Sequence, residues 1–346
     1  MEEILLMLEP DFVWPQPMQP TIAETTPEFR TRRQGPTSLR MWGNIHKYLH
    51  YISRQYCNWF GIPFDHQFMD LPFGLVLKWT HEASIEEAMA MHLAHEAGMP
   101  VPKVLCCGEH PEEELTQGRF SILMTRLPGS PASDFERDVK QPWVDELKQC
   151  LESMRRWQGP ENRICSVIET PIHTDRTAIG LMGPFESETE LYDRLHFRKG
   201  STGYYSPEEY ETAISQVRKL RERPHWVTFT HGGLVPENIL VDEDGHLSGI
   251  QGWEHAGWCP DYWEFTHPLH LGAGNGWNQI LLWLGGDQYL EELEGDIALR
   301  LLTRGSYLFR DASQPRGTEE IFTDTRDLPE TPVKNRIYSS FGGLDY

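Results

Sequence analysis

Apolar positions follow a helical period around Ile85, Ala88, Met89, His92 and Leu93. Ser84 stands before them as a cap, and Glu86 and Glu87 occupy the first turn, where the helix dipole favours acids. Gly98 and Pro100 end the pattern, so a helix is expected from about Ser84 to Ala97. The apolar run Phe73–Trp79 after Pro72 predicts a strand, and Val101–Cys107 and Phe120–Arg126 predict two more around an acidic turn at Glu109–Glu114. Met41–Phe60 has spacing compatible with a helix. Beyond about Asp138 the pattern turns helical, over Trp143–Trp157, Ser187–Leu195, Pro207–Glu222 and a glycine-interrupted Trp277–Leu302. Ser187 and Glu190 have capping-box spacing. Between these helices, Val227–Gly257 reads as strand–loop–strand–loop, with a hairpin signal at Asp242-Glu243-Asp244-Gly245.

The expectation is an α+β chain of two lobes, a small strand-rich one over 41–126 and a larger helical one over 127–310. Residues 1–40, of which 9–40 are rich in Pro, Thr and Arg, read as an arm, and 311–346 as a polar tail.

With 346 residues, 39% hydrophobic, there is material for such a core. The net charge of −21 argues against nucleic acid or an anionic membrane as partner. Met1-Glu2-Glu3 lacks the basic start of a secretory signal, and no stretch has the length of a membrane span. Cys57, Cys106, Cys107, Cys150, Cys165 and Cys259 form no CxxC pair and read as reduced thiols, so a cytoplasmic location is expected. The sequence says nothing of oligomeric state.

The chemistry concentrates in His231-Gly232-Gly233-Leu234-Val235-Pro236-Glu237-Asn238, a short apolar strand, and Ile250-Gln251-Gly252-Trp253-Glu254. In spacing this resembles the catalytic loop of the aminoglycoside phosphotransferase and choline-kinase-like family, H-G-D-x-x-x-x-N followed by I-D-W-E. Pro100-Val101-Pro102-Lys103-Val104, Gly183-Pro184-Phe185-Glu186 and Asp261-Tyr262-Trp263-Glu264 resemble a fungal branch of it. The resemblance implies a two-lobed protein-kinase-like fold. It also implies a vestigial nucleotide site, with Lys78 on the phosphates, Glu87 as its ion-pair partner, Thr125 in a hinge meeting an adenine, and Asn238 as a magnesium-binding amide.

Both carboxylate positions of that pattern hold glycine: Gly233 at the base, Gly252 at the metal. Losing a general base typically costs ~10²–10⁴-fold in rate, and magnesium favours carboxylates. No metal ligand set and no cofactor are therefore expected. The candidate catalytic residues are His231, Glu254 and His255, although His231 also reads as a brace of its own loop. The expected partner is a small molecule in an inter-lobe cleft, bound or transformed without phosphoryl transfer, for example by cyclisation or rearrangement. Two alternatives remain open, a residual phosphotransferase using ATP and Mg2+, and a non-catalytic scaffold.

Overall fold

The computed structural model describes residues 5–14, 22–27, 34–111, 118–135, 141–174, 176, 180–194, 207–271 and 275–303. The expected tail 311–346 lies outside the described residues. Helix α1, Pro36–Phe60, opens with Pro36 in its first turn and closes on Gly61 in the left-handed region at φ 68. It therefore begins inside the stretch expected as an arm.

Four antiparallel strands follow, β1 (Phe68–Leu71), β2 (Leu75–Lys78), β3 (Val104–Glu109) and β4 (Phe120–Thr125), in the spatial order β1-β2-β4-β3. The expected strand from Phe73 starts at Leu75, because Phe73 and Gly74 both take positive φ and turn the chain back onto β1. The strand expected at Val101 begins at Val104, since Val101 donates to Met99 and Lys103 pairs with Thr125 outside the regular ladder.

Helix α2 (Ile85–Glu96) sits between β2 and β3, with Ser84 as its N-cap accepting from the Glu87 amide at 3.1 Å. α1 crosses β3 at backbone distance. A Cβ on Gly43 would stand 2.1 Å from the Glu109 carbonyl oxygen, so only glycine fits there. Met69, Leu71, Leu77, Trp79, Cys106 and Leu123 form the core between sheet and helix.

The larger lobe contains α3 (Pro142–Met154), α4 (Glu188–Arg194), α5 (Pro207–Glu222), α6 (Trp263–Leu271), α7 (Asn275–Trp283) and α8 (Leu290–Thr303). Gly285 and Gly286 separate α7 from α8, an interruption of the kind expected within Trp277–Leu302. Short strands complete it: β5 (Ser130–Pro131), β6 (Ile172–His173), β7 (Leu181–Met182), β8 (Val227–Thr230), β9 (Ile239–Val241), β10 (Leu247–Ile250) and β11 (Gly257–Pro260). β9 and β10 form the hairpin expected at Asp242–Gly245, and β8 pairs with β11.

One apolar cluster runs through both lobes, joining Ala88, Met91 and Ile122 to Trp143, Phe229, Trp253 and Trp277. This is a kinase-like fold, a small sheet lobe over a helical lobe. All six cysteines are buried free thiols. Among the described residues no helix is long and apolar enough to cross a membrane.

Candidate active site

Lys78 ends β2 facing inward, and the Ser84 cap sets Glu87 one turn into α2 beside it. The Lys78 ammonium donates to Glu87 Oε1 at 2.7 Å. It also donates to Glu254 Oε1 at 2.9 Å, across a separation of 176 residues that joins the lobes. The Lys78 and Glu87 side chains are 3% and 2% exposed, and that of Glu254 15%.

Burial opposes the charge of Lys78, but the two carboxylates outweigh it and hold its pKa above the ordinary value. The carboxylates part company. Burial, with Glu254 adding to it against Lys78, pushes Glu87 up to about 7. For Glu254, burial is overcome by the charge and hydrogen bond of Lys78, which bring it down to about 2. Oε2 of each carboxylate is buried with no hydrogen-bond partner among the described residues. One ammonium thus faces two carboxylates, and the surplus is negative.

The loop after β8 is held from behind. Glu264, fully buried in the first turn of α6, accepts from the backbone amides of His231 at 2.8 Å and Gly232 at 3.1 Å. Burial raises its pKa while those two amides oppose the rise. His231 donates from Nε2 to the Gln251 carbonyl at 2.9 Å and accepts from the Gly233 amide at Nδ1, 3.2 Å. Burial brings its pKa down to about 4. Both ring nitrogens are occupied by backbone, so the geometry gives His231 the role of a brace and leaves it no nitrogen with which to move a substrate proton.

Asn238 sits in the short 3-10 turn Pro236–Asn238. Its Nδ2 donates to the Gly233 carbonyl at 2.8 Å. A Cβ built on Gly252, at φ 78, would lie 2.3 Å from that Nδ2 and 2.5 Å from Oδ1. The amide expected to reach a metal ion instead occupies the room a residue-252 side chain would need. A Cβ on Gly233 would meet the Gly252 carbonyl oxygen at 3.2 Å, a tight but lesser conflict.

The structure brings Lys78, Glu87 and Glu254 into one cluster, and His231, Gly233, Asn238 and Gly252 into a second on the adjoining loop. His255 directs Nδ1 at the His173 carbonyl, 3.1 Å away. Thr125 is not part of either cluster. It pairs with Leu75, three residues along from Lys78, and its hydroxyl accepts from the Lys103 amide at 2.9 Å.

Sequence reasoning gave no role to Glu264, which fixes the loop, nor did it make Glu254 the second partner of Lys78. The available signal for Glu264 was an acid in the first turn of a helix, and that reads equally well as dipole complementarity.

Residues 72–286 match the model of the phosphotransferase enzyme family known as APH, more than half of the chain. The chain belongs to that family. No curated protein matches the sequence. Among solved structures the chain is similar to a ternary complex of a thermostable mutant of aminoglycoside phosphotransferase APH(4)-Ia with ADP and hygromycin B, at 11% identity. That match covers 72% of this chain and 88% of the other, with a TM-score of 0.48. It is similar also to the GDP and kanamycin complex of APH(2")-IIia, at 13% identity over 69% of this chain and 81% of that one, TM-score 0.44. A third is macrolide 2'-phosphotransferase MphH from Brachybacterium faecium, at 15% identity, 65% and 74% coverage and TM-score 0.37.

Proposed function

We propose that this chain is a catalytically degenerate member of its family, one that binds or transforms a small molecule between its lobes without transferring phosphate. The observation that carries this reading is the second engagement of Lys78, by Glu254 in addition to its pair with Glu87. A phosphate-binding lysine must offer its charge to the nucleotide. The Glu87 pair is compatible with that, but Glu254 also accepts from the Lys78 ammonium at 2.9 Å and competes with a phosphate for it.

The residues fit a magnesium–nucleotide complex poorly. Gly252 has no carboxylate, the Asn238 amide is turned onto Gly233, and among the described residues no three His, Cys, Asp or Glu side chains converge as a metal site. Gly233 presents no base to an attacking hydroxyl. A site between the lobes that lacks both carboxylates would instead hold a reactive substrate in one conformation, and orientation alone can accelerate a cyclisation or rearrangement. In such a step Glu254, with a pKa near 2, serves as a fixed negative charge and not as a proton donor. The motifs resembling the fungal branch point to secondary metabolism as the source of the ligand.

Calorimetry of the full chain with ATP and Mg2+ tests the reading, paired with turnover assays on candidate small molecules in the absence of nucleotide. The expected result is no magnesium-dependent nucleotide binding, with any turnover independent of ATP. Stoichiometric binding followed by ATP consumption would establish the residual phosphotransferase instead. Neither binding nor turnover of any kind would leave a scaffold.

A further inference from the structure

Ahead of α1 the chain touches the small lobe, then the large lobe, then the small lobe again. Residues 5–14 lie on the small lobe. There the Phe73 amide donates to the Met7 carbonyl at 2.8 Å, the Tyr56 hydroxyl to that of Leu8 at 2.9 Å, and Trp14 Nε1 to that of Phe73 at 2.8 Å. By residue 34 the chain is back on that lobe, where Gln34 Oε1 accepts from the Cys107 amide at 2.9 Å. Between these attachments, residues 22–27 reach the large lobe. Thr26 and Gln158 bind reciprocally, the Thr26 hydroxyl donating to the Gln158 carbonyl at 2.8 Å and accepting from its amide at 2.6 Å.

Ala23 holds both lobes at once. Its amide donates to the carbonyl of Ala97, the C-cap of α2, at 2.9 Å, and its carbonyl accepts from the Trp157 indole at 2.8 Å. The first bond gives a partner to a carbonyl at a helix end, where intrahelical partners run out. Because both bonds belong to one residue, the C-terminal end of α2 cannot move away from Trp157 without breaking one of them. Ile22 and Ala23 also pack against the apolar cluster shared by the lobes. The neighbouring Glu24–Arg156 pair, at 3.2 Å, is exposed on both sides and adds little.

α2 is therefore pinned to the large lobe at each end. At its N-terminal end Glu86 Oε1 accepts from the Thr170 hydroxyl at 2.7 Å, and Glu87 shares Lys78 with Glu254. The 12 residues of α2 set the two attachments about 18 Å apart. A further crossing follows α2, where the Ile250 amide donates to the Pro100 carbonyl at 2.7 Å. In this arrangement the Lys78 and Glu87 side chains are 3% and 2% exposed, so a ligand reaches them only if the lobes part.

We propose that residues 22–27 are a strap that holds the lobes closed over Lys78, and that releasing the strap opens the inter-lobe site. The strap can let go without unfolding either lobe, because three hydrogen bonds, two at Thr26 and one at Ala23, join it to the large lobe. Each neutral hydrogen bond is worth roughly 2- to 10-fold in an equilibrium constant. Losing two of them therefore raises the open fraction several-fold while the cores of both lobes stay intact. The inference does not depend on what the site binds or on whether the site turns anything over.

Acetylation of the full chain with acetic anhydride, read at Lys78 by peptide mass spectrometry, tests the strap alongside amide hydrogen exchange. Thr26→Val removes both bonds to Gln158 at nearly constant side-chain volume, and Ala23→Pro removes the donor to Ala97. In Thr26→Val the acetylation of Lys78 and the exchange of the Ile250 amide should each quicken about fivefold or more. Amides of the β3–β4 and β8–β11 ladders, each internal to one lobe, should keep their wild-type rates. Ala23→Pro should act in the same direction, and either variant, once folded, is sufficient. Unchanged labelling of Lys78 in a folded variant overturns the proposal, even if Ile250 quickens. Equal quickening of Lys78 and of every ladder amide overturns it too, because residues 22–27 would then stabilise the whole fold and not the closure of its lobes.

Discussion

The side-chain amide of Asn238 lies where a Cβ on Gly252 would have to be, 2.3 Å from Nδ2 in the present arrangement. The two residues are coupled, since any side chain at 252 must move the amide off its bond to the Gly233 carbonyl. Gly252→Ala should therefore lose more than the ~1–2 kcal/mol that a non-glycine residue costs in the left-handed region. In an Asn238→Ala background the further loss should shrink by about 1 kcal/mol or more, read from a double-mutant cycle by denaturant unfolding. Strict additivity would mean that the contact carries no energy.

The same relationship governs restoration of the missing carboxylates. Gly233→Asp with Gly252→Asp should create magnesium-dependent nucleotide binding only if Asn238 turns outward and Lys78 leaves Glu254. We expect the double variant to bind weakly and the triple variant carrying Glu254→Gln as well to bind more tightly, by titration calorimetry. Equal affinity in the two would show that Glu254 does not withhold the lysine.

Removing Lys78 leaves two buried carboxylates facing one another. Lys78→Met should cost about 3–5 kcal/mol, the usual penalty for stranding one side of a buried pair. Glu254→Gln should cost less, because the Lys78–Glu87 bond at 2.7 Å survives it. Chemical denaturation of both variants checks the order, and a smaller loss for Lys78→Met would be inconsistent with the clamp.

Two buried histidines make stability fall on the acid side. His231 and His46 are each brought down to about 4, chiefly by burial, from 6.5 in the unfolded chain. Between pH 6.5 and 4 the unfolded chain binds protons that the folded one refuses, so stability rises with pH through that window. Their contribution is complete above 6.5 and lost as pH falls through 4. His231→Asn should flatten this limb of the stability–pH curve, measured by urea unfolding from pH 4 to 7. An unchanged slope would argue that the imidazole is not held neutral.

Glu264 holds the loop through two backbone amides. Glu264→Gln turns one acceptor into a donor facing an N–H, and leaving a buried polar group unsatisfied costs ~1–3 kcal/mol. Hydrogen exchange at His231 and Gly232 should quicken in that variant far more than at the β9–β10 hairpin. Uniform quickening would indicate global destabilisation instead.

Local features were legible wherever they depended on neighbours in sequence. α2 was recognisable because Ser84, the two first-turn acids and Gly98 mark its ends independently of the rest of the fold. The β9–β10 turn was legible in the same way, through Asp242 and Gly245. β1 escaped notice because Phe68–Leu71 carries Asp70 and becomes a strand by pairing with β2 around a turn that puts Phe73 at φ 66.

The site divides along the same line. By itself the sequence determined the family's spacing: Lys78 before a capped helix, Asn238 five residues past Gly233, and Gly252 beside Trp253 and Glu254. Only the tertiary structure decided what those residues do. It brought Glu254 to Lys78 from 176 residues away, turned Asn238 onto Gly233, and set Glu264 beneath the loop. The physical reason is that hydrogen-bond partners and burial, which fix charge state and reach, depend on packing between lobes that no local pattern of residues encodes.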